Sequence, residues 1–193
     1  MLIARSETVL PLQSNQFSIS PSGGVENWLD EDILGDSINI DQYGYRALVV
    51  NTGTYAGNIG VMLEQYTEKP TLDVDSWDTV SEYSLKSTTG LSVTPWADAE
   101  FASTSILGWV RVSISERGRQ DGENAQDVVE NPVEHYRIAL WPGPVQPIHV
   151  VKDVERVDDD IIEVDDGPVR SHSTPPPPME IPRSAKVANL RGL

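Results

Sequence analysis

The sequence predicts an all-β protein: an antiparallel β-sandwich of about seven to nine strands with a disordered or extended C-terminal tail. Three observations carry that expectation. Short apolar runs recur from Leu2 to Val157 between turn-forming residues, in a chain with 14 Gly and 14 Pro. Two of the runs alternate apolar and polar residues as a half-buried strand does. A helical period is nowhere sustained over a length that would pack helices on a sheet.

The strands can be read in order. Gln16 to Ser20 (QFSIS) is short and apolar at Phe17 and Ile19. Val25 to Leu34 (VENWLDEDIL) is the best helical stretch, with Trp28, Leu29 and Ile33 on one stripe, but it spans under three turns, so a single turn fits it as well. Tyr45 to Asn51 (YRALVVN) and Asn58 to Thr67 (NIGVMLEQYT) flank Thr52 to Gly57 (TGTYAG), a connection short enough for a hairpin. Trp77 to Lys86 (WDTVSEYSLK) breaks the alternation at Val80, which predicts a bulge or a strand covered on both faces. Leu91 to Thr94 follows.

Trp109 to Ser115 (WVRVSIS) and His135 to Trp141 (HYRIALW) alternate cleanly. Val110, Val112 and Ile114 oppose Arg111, Ser113 and Ser115, and Tyr136, Ile138 and Leu140 oppose His135, Arg137 and Ala139. Both read as half-buried, with the polar set in solvent. Gly118 to Asn131 (GRQDGENAQDVVEN) is polar and acidic and reads as a long exposed loop. After the Pro-rich turn Pro142 to Pro147, residues His149 to Val157 form either an edge strand or a surface segment.

The composition then changes, which places a β-sandwich domain at 1–157 and a tail at 158–193. From Lys152 to Asp166 there are 8 acids against 2 bases. Gly167 to Leu193 holds 4 bases against Glu180 and includes Pro175 to Pro178, a polyproline II stretch with too little apolar content for a core.

The whole chain carries a formal charge of -16, from 14 Lys and Arg against 30 Asp and Glu. From Met1 to Val151 the count is 8 bases and 21 acids, a net -13, so the excess does not depend on the tail. That balance opposes direct contact with nucleic acid or anionic membrane and favours a basic protein partner. No stretch is apolar enough to span a membrane, and Met1 to Gln16 lacks the pattern of a signal peptide, so the expected location is cytoplasmic.

Catalytic signals are missing from the residue pattern. With 0 Cys there is no thiolate nucleophile, disulfide or thiolate metal site, and His135, His149 and His172 are scattered. No GxSxG elbow or P-loop spacing occurs, and the acids at Asp30 to Asp32, at Asp73, Asp75 and Asp78, and at Asp158 to Asp160 do not follow the spacing of a calcium loop. The expectation is a protein that is not an enzyme and uses no cofactor. Trp77, Trp109 and Trp141 begin or end strands and are expected to pack the ends of the sandwich. Trp28 and Trp96, in less regular segments, are candidates for an exposed contact, together with the acids Asp30, Glu31, Asp32, Asp121, Glu123 and Asp127.

Laid in order, GNIGVMLE at Gly57 to Glu64, WDTVSEYS at Trp77 to Ser84, WVRVSISERGR at Trp109 to Arg119 and HYRIALWPGP at His135 to Pro144 resemble the pattern of a group of bacterial β-sandwich proteins. The resemblance covers roughly residues 12 to 150. That group is in turn distantly similar to competence protein J, a small β-sandwich protein that inhibits a competence-associated nuclease. The resemblance implies a non-catalytic protein-binding module, an inhibitor of a basic enzyme such as a nuclease, and carries over no catalytic residue. The alternative is a structural or decoration component of a virion or other assembly whose extended tail docks on neighbouring subunits.

Overall fold

The computed structural model describes residues 1–22, 33–37, 39–95, 102–125 and 127–154. The chain divides into two units, Met1–Val157 and Asp158–Leu193, and every described residue belongs to the first. The helical stretch proposed at Val25 to Leu34 lies outside the described residues except for its last two, Ile33 and Leu34, which are strand. The tail and the residues Trp28, Asp30, Glu31, Asp32 and Trp96 also lie outside them.

Twelve strands and one short helix make up the described part. In chain order they are β1 (Leu2–Leu12), β2 (Gln16–Pro21), β3 (Ile33–Ser37), β4 (Ile40–Tyr43), β5 (Ala47–Asn51), β6 (Gly57–Tyr66), β7 (Thr79–Ser87), β8 (Leu91–Pro95), β9 (Ala102–Ser103), β10 (Gly108–Arg117), α1 (Arg119–Asn124), β11 (His135–Pro142) and β12 (His149–Asp153). They form two six-stranded sheets, ordered β1-β6-β11-β10-β7-β12 and β3-β4-β5-β2-β8-β9. The all-β expectation holds, while the count exceeds the predicted seven to nine. The additions include β1, β3, β4 and the two-residue β9.

One apolar cluster takes side chains from both sheets. Leu10, Ile59, Val61, Leu63, Tyr83, Leu85, Val110, Val112, Ile114, Ile138 and Leu140 come from the first, and Phe17, Ile19, Ile40, Leu48, Val50 and Val93 from the second. Phe17 meets Tyr136 edge to face with ring centroids 5.0 Å apart. The alternation of β10 and β11 therefore gives the inward set correctly. Register confirms it, since Val112 lies opposite Leu140 on one side and Tyr83 on the other.

Two expectations about connection and pairing fail. TGTYAG is not a hairpin turn, because β5 and β6 belong to different sheets. Pairing is also not antiparallel throughout, because β11 runs parallel to β6. Since β10 is antiparallel to both β11 and β7, β7 runs parallel to β6 with two strands between them. Residues 67–78 must therefore cross three strand spacings, about 14 Å, while returning the length of a strand, about 30 Å. A dozen residues reach about 40 Å, so the connection is nearly extended and lies as a strap over the outer face of the first sheet.

The strap explains burial that alternation did not predict. Lys69 pairs with Glu82 at 2.6 Å and lies 5.8 Å from the Trp141 ring. Farther along, the carbonyls of Val74 and Trp77 accept from Lys152 Nζ at 3.3 and 2.5 Å. Ser113, Ser115, Ala139 and Arg111, expected to face solvent, are buried. Their small size lets the strap approach, and Arg111 is neutralised by Glu82 at 3.2 Å. β7 is covered on both faces, one of the two readings its broken phase allowed, with Glu82 meeting Lys69 of the strap and Ser84 meeting Gln146 of the β11–β12 connection. Trp77 and Trp141 are buried on this outer face rather than between the sheets, and Trp109 stays 38% exposed against Tyr45 and Lys86.

Candidate functional site

Of the proposed contact residues, Asp121, Glu123 and Asp127 are described, and all three are exposed. Their segment is not simply a loop. It begins with a six-residue helix, α1, and is then tied to the TGTYAG connection. Asn58 N–H donates to the Val129 carbonyl at 2.7 Å, Val129 N–H donates to the Ala56 carbonyl at 3.1 Å, and Asn58 Nδ2 donates to the Glu130 carbonyl at 2.7 Å. Gly57 sits at φ 117, and a Cβ there would lie 2.4 Å from the Val129 main chain. Only glycine permits both that conformation and that approach.

Glu134 makes the second tie. It is fully buried, and its carboxylate accepts from Gly53 N–H at 3.0 Å, from Thr54 N–H at 2.8 Å and from the Tyr136 hydroxyl. Burial holds the Tyr136 hydroxyl well above the ordinary tyrosine range, and the charges of Glu134 and Glu116 push it the same way. The phenol is thus held in its protonated, donating form. A buried carboxylate with three donors fixes the TGTYAG loop without exposing charge.

These ties hold open a hollow of about 280 Å³ lined by Tyr55, Ala56, Gly122, Ala125, Asp127, Val128 and Val129. Tyr55 is 72% exposed and Val128 67%, so an aromatic ring and an aliphatic side chain stand in solvent at one place. Asp121 and Glu123 flank Gly122 in α1, and Asp127 and Glu130 follow. Glu123 is partly neutralised by Arg119 at 2.9 Å, while no cation lies within ion-pair distance of Asp121 or Asp127 among the described residues. Of the three acids Asp127 lines the hollow, and Asp121 and Glu123 stand on either side of its lining residue Gly122. Sequence reading missed Tyr55 and Val128; the signal available for Tyr55 was an aromatic in a Gly-punctuated connection.

Among the described residues no group of three or more His, Asp and Glu is placed to hold a metal ion, and no helix is long and apolar enough to cross a membrane.

No family model matches the chain, and no curated protein matches it. Two solved structures are similar to it. One is the crocagin biosynthetic gene J product, 13% identical, with a TM-score of 0.48, covering 74% of this chain and 100% of its own. The other is ComJ from Bacillus subtilis, an inhibitor of the DNA degrading activity of NucA, 8% identical, with a TM-score of 0.49, covering 74% of this chain and 99% of its own. The chain is therefore distantly similar to competence protein J, as the sequence motifs implied.

Proposed function

We propose that this chain is a non-catalytic β-sandwich module that binds a basic protein through the tip formed by residues 52–57 and 118–134. The observation that carries the reading is the pairing of exposed Tyr55 and Val128 with the acids Asp121, Asp127 and Glu130 on loops tied to the sheets by Glu134. An apolar centre ringed by charge is the anatomy of a protein contact, in which the centre carries affinity and the rim carries steering and orientation. Rigid loops lower the entropy lost on docking. A net -13 between Met1 and Val151 selects a cationic partner. The finer proposal is stoichiometric inhibition of a basic enzyme such as a nuclease, the acids occupying the groove that otherwise holds phosphates.

The test is affinity capture with the full chain and with Tyr55→Ala and Asp121→Asn/Asp127→Asn variants, followed by kinetics on the captured protein. The expected result is a basic protein held one to one, with Tyr55→Ala speeding dissociation and the double variant slowing association, most visibly at low salt. A partner held equally by all three forms would refute the tip as the contact surface.

A further inference from the structure

A second concave feature lies on the outer face of the first sheet, between β1 and the strap, as a groove of about 730 Å³. Its two ends differ in charge. At one end Arg5 and Arg137 both hold Glu64, at 3.7 and 2.8 Å, and Arg5 also meets Glu7 at 3.2 Å. At the other end stand Arg117 and His135, directly opposite each other on β10 and β11. The Arg117 guanidinium lies 5.1 Å from the centre of the Trp77 ring, and no carboxylate comes within ion-pair distance of it among the described residues. Arg5, Arg111, Arg119 and Arg137, by contrast, each hold a carboxylate.

The floor beside His135 is Gly60, where a Cβ would lie 2.3 Å from His135 Nδ1. The missing side chain leaves the imidazole seated against the strand. Val9, half exposed, and Met62 provide apolar wall on the neighbouring strands. The groove thus joins a guanidinium that lies over an indole ring and meets no carboxylate among the described residues, a second polar ring beside it and an apolar surface, at a volume in the range of small-molecule sites.

We propose that this end of the groove binds a small organic monocarboxylate, with Arg117 gripping the carboxylate by two parallel N–H donors, His135 contacting it from the adjacent strand, and the ligand's apolar body lying over Gly60 between Val9 and Met62. A carboxylate fits better than a phosphate on two counts. The fork of a guanidinium matches the two oxygens of a carboxylate. A dianion would be repelled about twice as strongly by Asp73, which lines the same groove, and by the net charge of the chain. Trp77, over which the guanidinium lies, is itself part of the strap, so the site depends on the crossover being seated.

The experiment is NMR titration of the full-length protein, following the Trp77 indole N–H and the His135 ring protons, with hexanoate, hexanamide, acetate and inorganic phosphate as probes. Hexanoate is expected to shift both signals saturably, hexanamide to shift neither, and acetate and phosphate to bind at least tenfold more weakly. Arg117→Gln is expected to weaken hexanoate at least tenfold. Gly60→Ala, which displaces the imidazole without changing charge, is expected to weaken it similarly, and near-UV circular dichroism checks that each variant folds. Should Arg117→Gln fail to fold, Gly60→Ala and His135→Gln carry the test. Equal shifts from hexanamide, the absence of a saturable response to hexanoate, or wild-type affinity in the folded variants would overturn the site. Acetate binding as tightly as hexanoate would overturn the apolar part of the assignment, and tighter phosphate binding would overturn the preference for a monoanion.

Discussion

Replacing Glu134 tests the ties that hold the proposed contact tip. In Glu134→Ala the Thr54 N–H and the Tyr136 hydroxyl, both on fully or almost fully buried residues, lose their acceptor, and Gly53 N–H loses one in a less enclosed position. An orphaned buried donor costs about 1 to 3 kcal/mol, so the two buried ones together predict a loss of about 2 to 6 kcal/mol. Against a total stability of about 5 to 15 kcal/mol this is a large fraction. Glu134→Gln keeps one acceptor oxygen and turns an N–H toward a donor, for a loss of about 1 to 3 kcal/mol. Glu130→Gln, on the same segment but exposed, is the control and should stay within about 0.5 kcal/mol of wild type. Urea unfolding followed by tryptophan fluorescence gives the differences, and hydrogen exchange at Gly53 and Thr54 localises them. A Glu134→Ala protein within about 0.5 kcal/mol of wild type, with those two amides still protected, would refute the reasoning.

Three further outcomes are expected. Ile138→Asp puts an unpaired charge among the shared apolar cluster and should cost several kcal/mol; Arg137→Asp should also destabilise, because it removes the nearer of the two cations that hold buried Glu64 and sets a like charge beside it, and chemical denaturation of the two variants checks both. Burial pushes the Glu82 carboxyl up, but Lys69 and Arg111 outweigh it and hold it below the ordinary range, so its ion pairs contribute stability above the usual carboxyl range that is lost as pH falls through the depressed value. Glu82→Gln should flatten the acid limb of the stability-against-pH curve, and an unchanged acid limb would contradict that assignment. Truncation after Val157 should leave a cooperatively unfolding domain with little change in Tm, measured by calorimetry; a broad transition or a large fall in Tm would place the domain boundary elsewhere.

The strands were legible where local pattern and burial agree. Val112, Ile114, Ile138 and Leu140 announced their inward direction by alternation because the core lies directly beneath them. Arg111, Ser113 and Ser115 misled, since the outer face they share is covered by segments distant in the chain, the strap at 67–78 and, over Arg111, the connection through Gly143 and Gln146, and no local window contains that fact. Arg137 misled similarly: its partner Glu64 lies on a strand paired in parallel, a neighbour that sequence order does not announce. β1 was missed because Arg5, Glu7 and Thr8 interrupt its apolar residues at the exposed end, while Leu10 and Leu12 alone reach the core. Of the contact tip, the acids Asp121, Glu123 and Asp127 were legible as a charged loop. Tyr55 and Val128 were not, because side-chain exposure is decided by Glu134 and Gly57, which shape the loops from below.

The parallel pairing of β6 with β11 also sets when the protein can fold. Gly60 and His135 are register partners about 75 residues apart, and the floor on which the strap rests is built from β10 and β11, both made after it. During synthesis, residues 67–78 emerge before any surface exists to receive them, and the first sheet cannot close until translation has passed Trp141. Such long-range closure slows folding and leaves strand edges open to other chains in the interval. The acid excess is already present in that unfinished chain, and like-charged copies repel one another. The charge on which the proposed choice of a basic partner rests would thus also disfavour contact between unfinished copies.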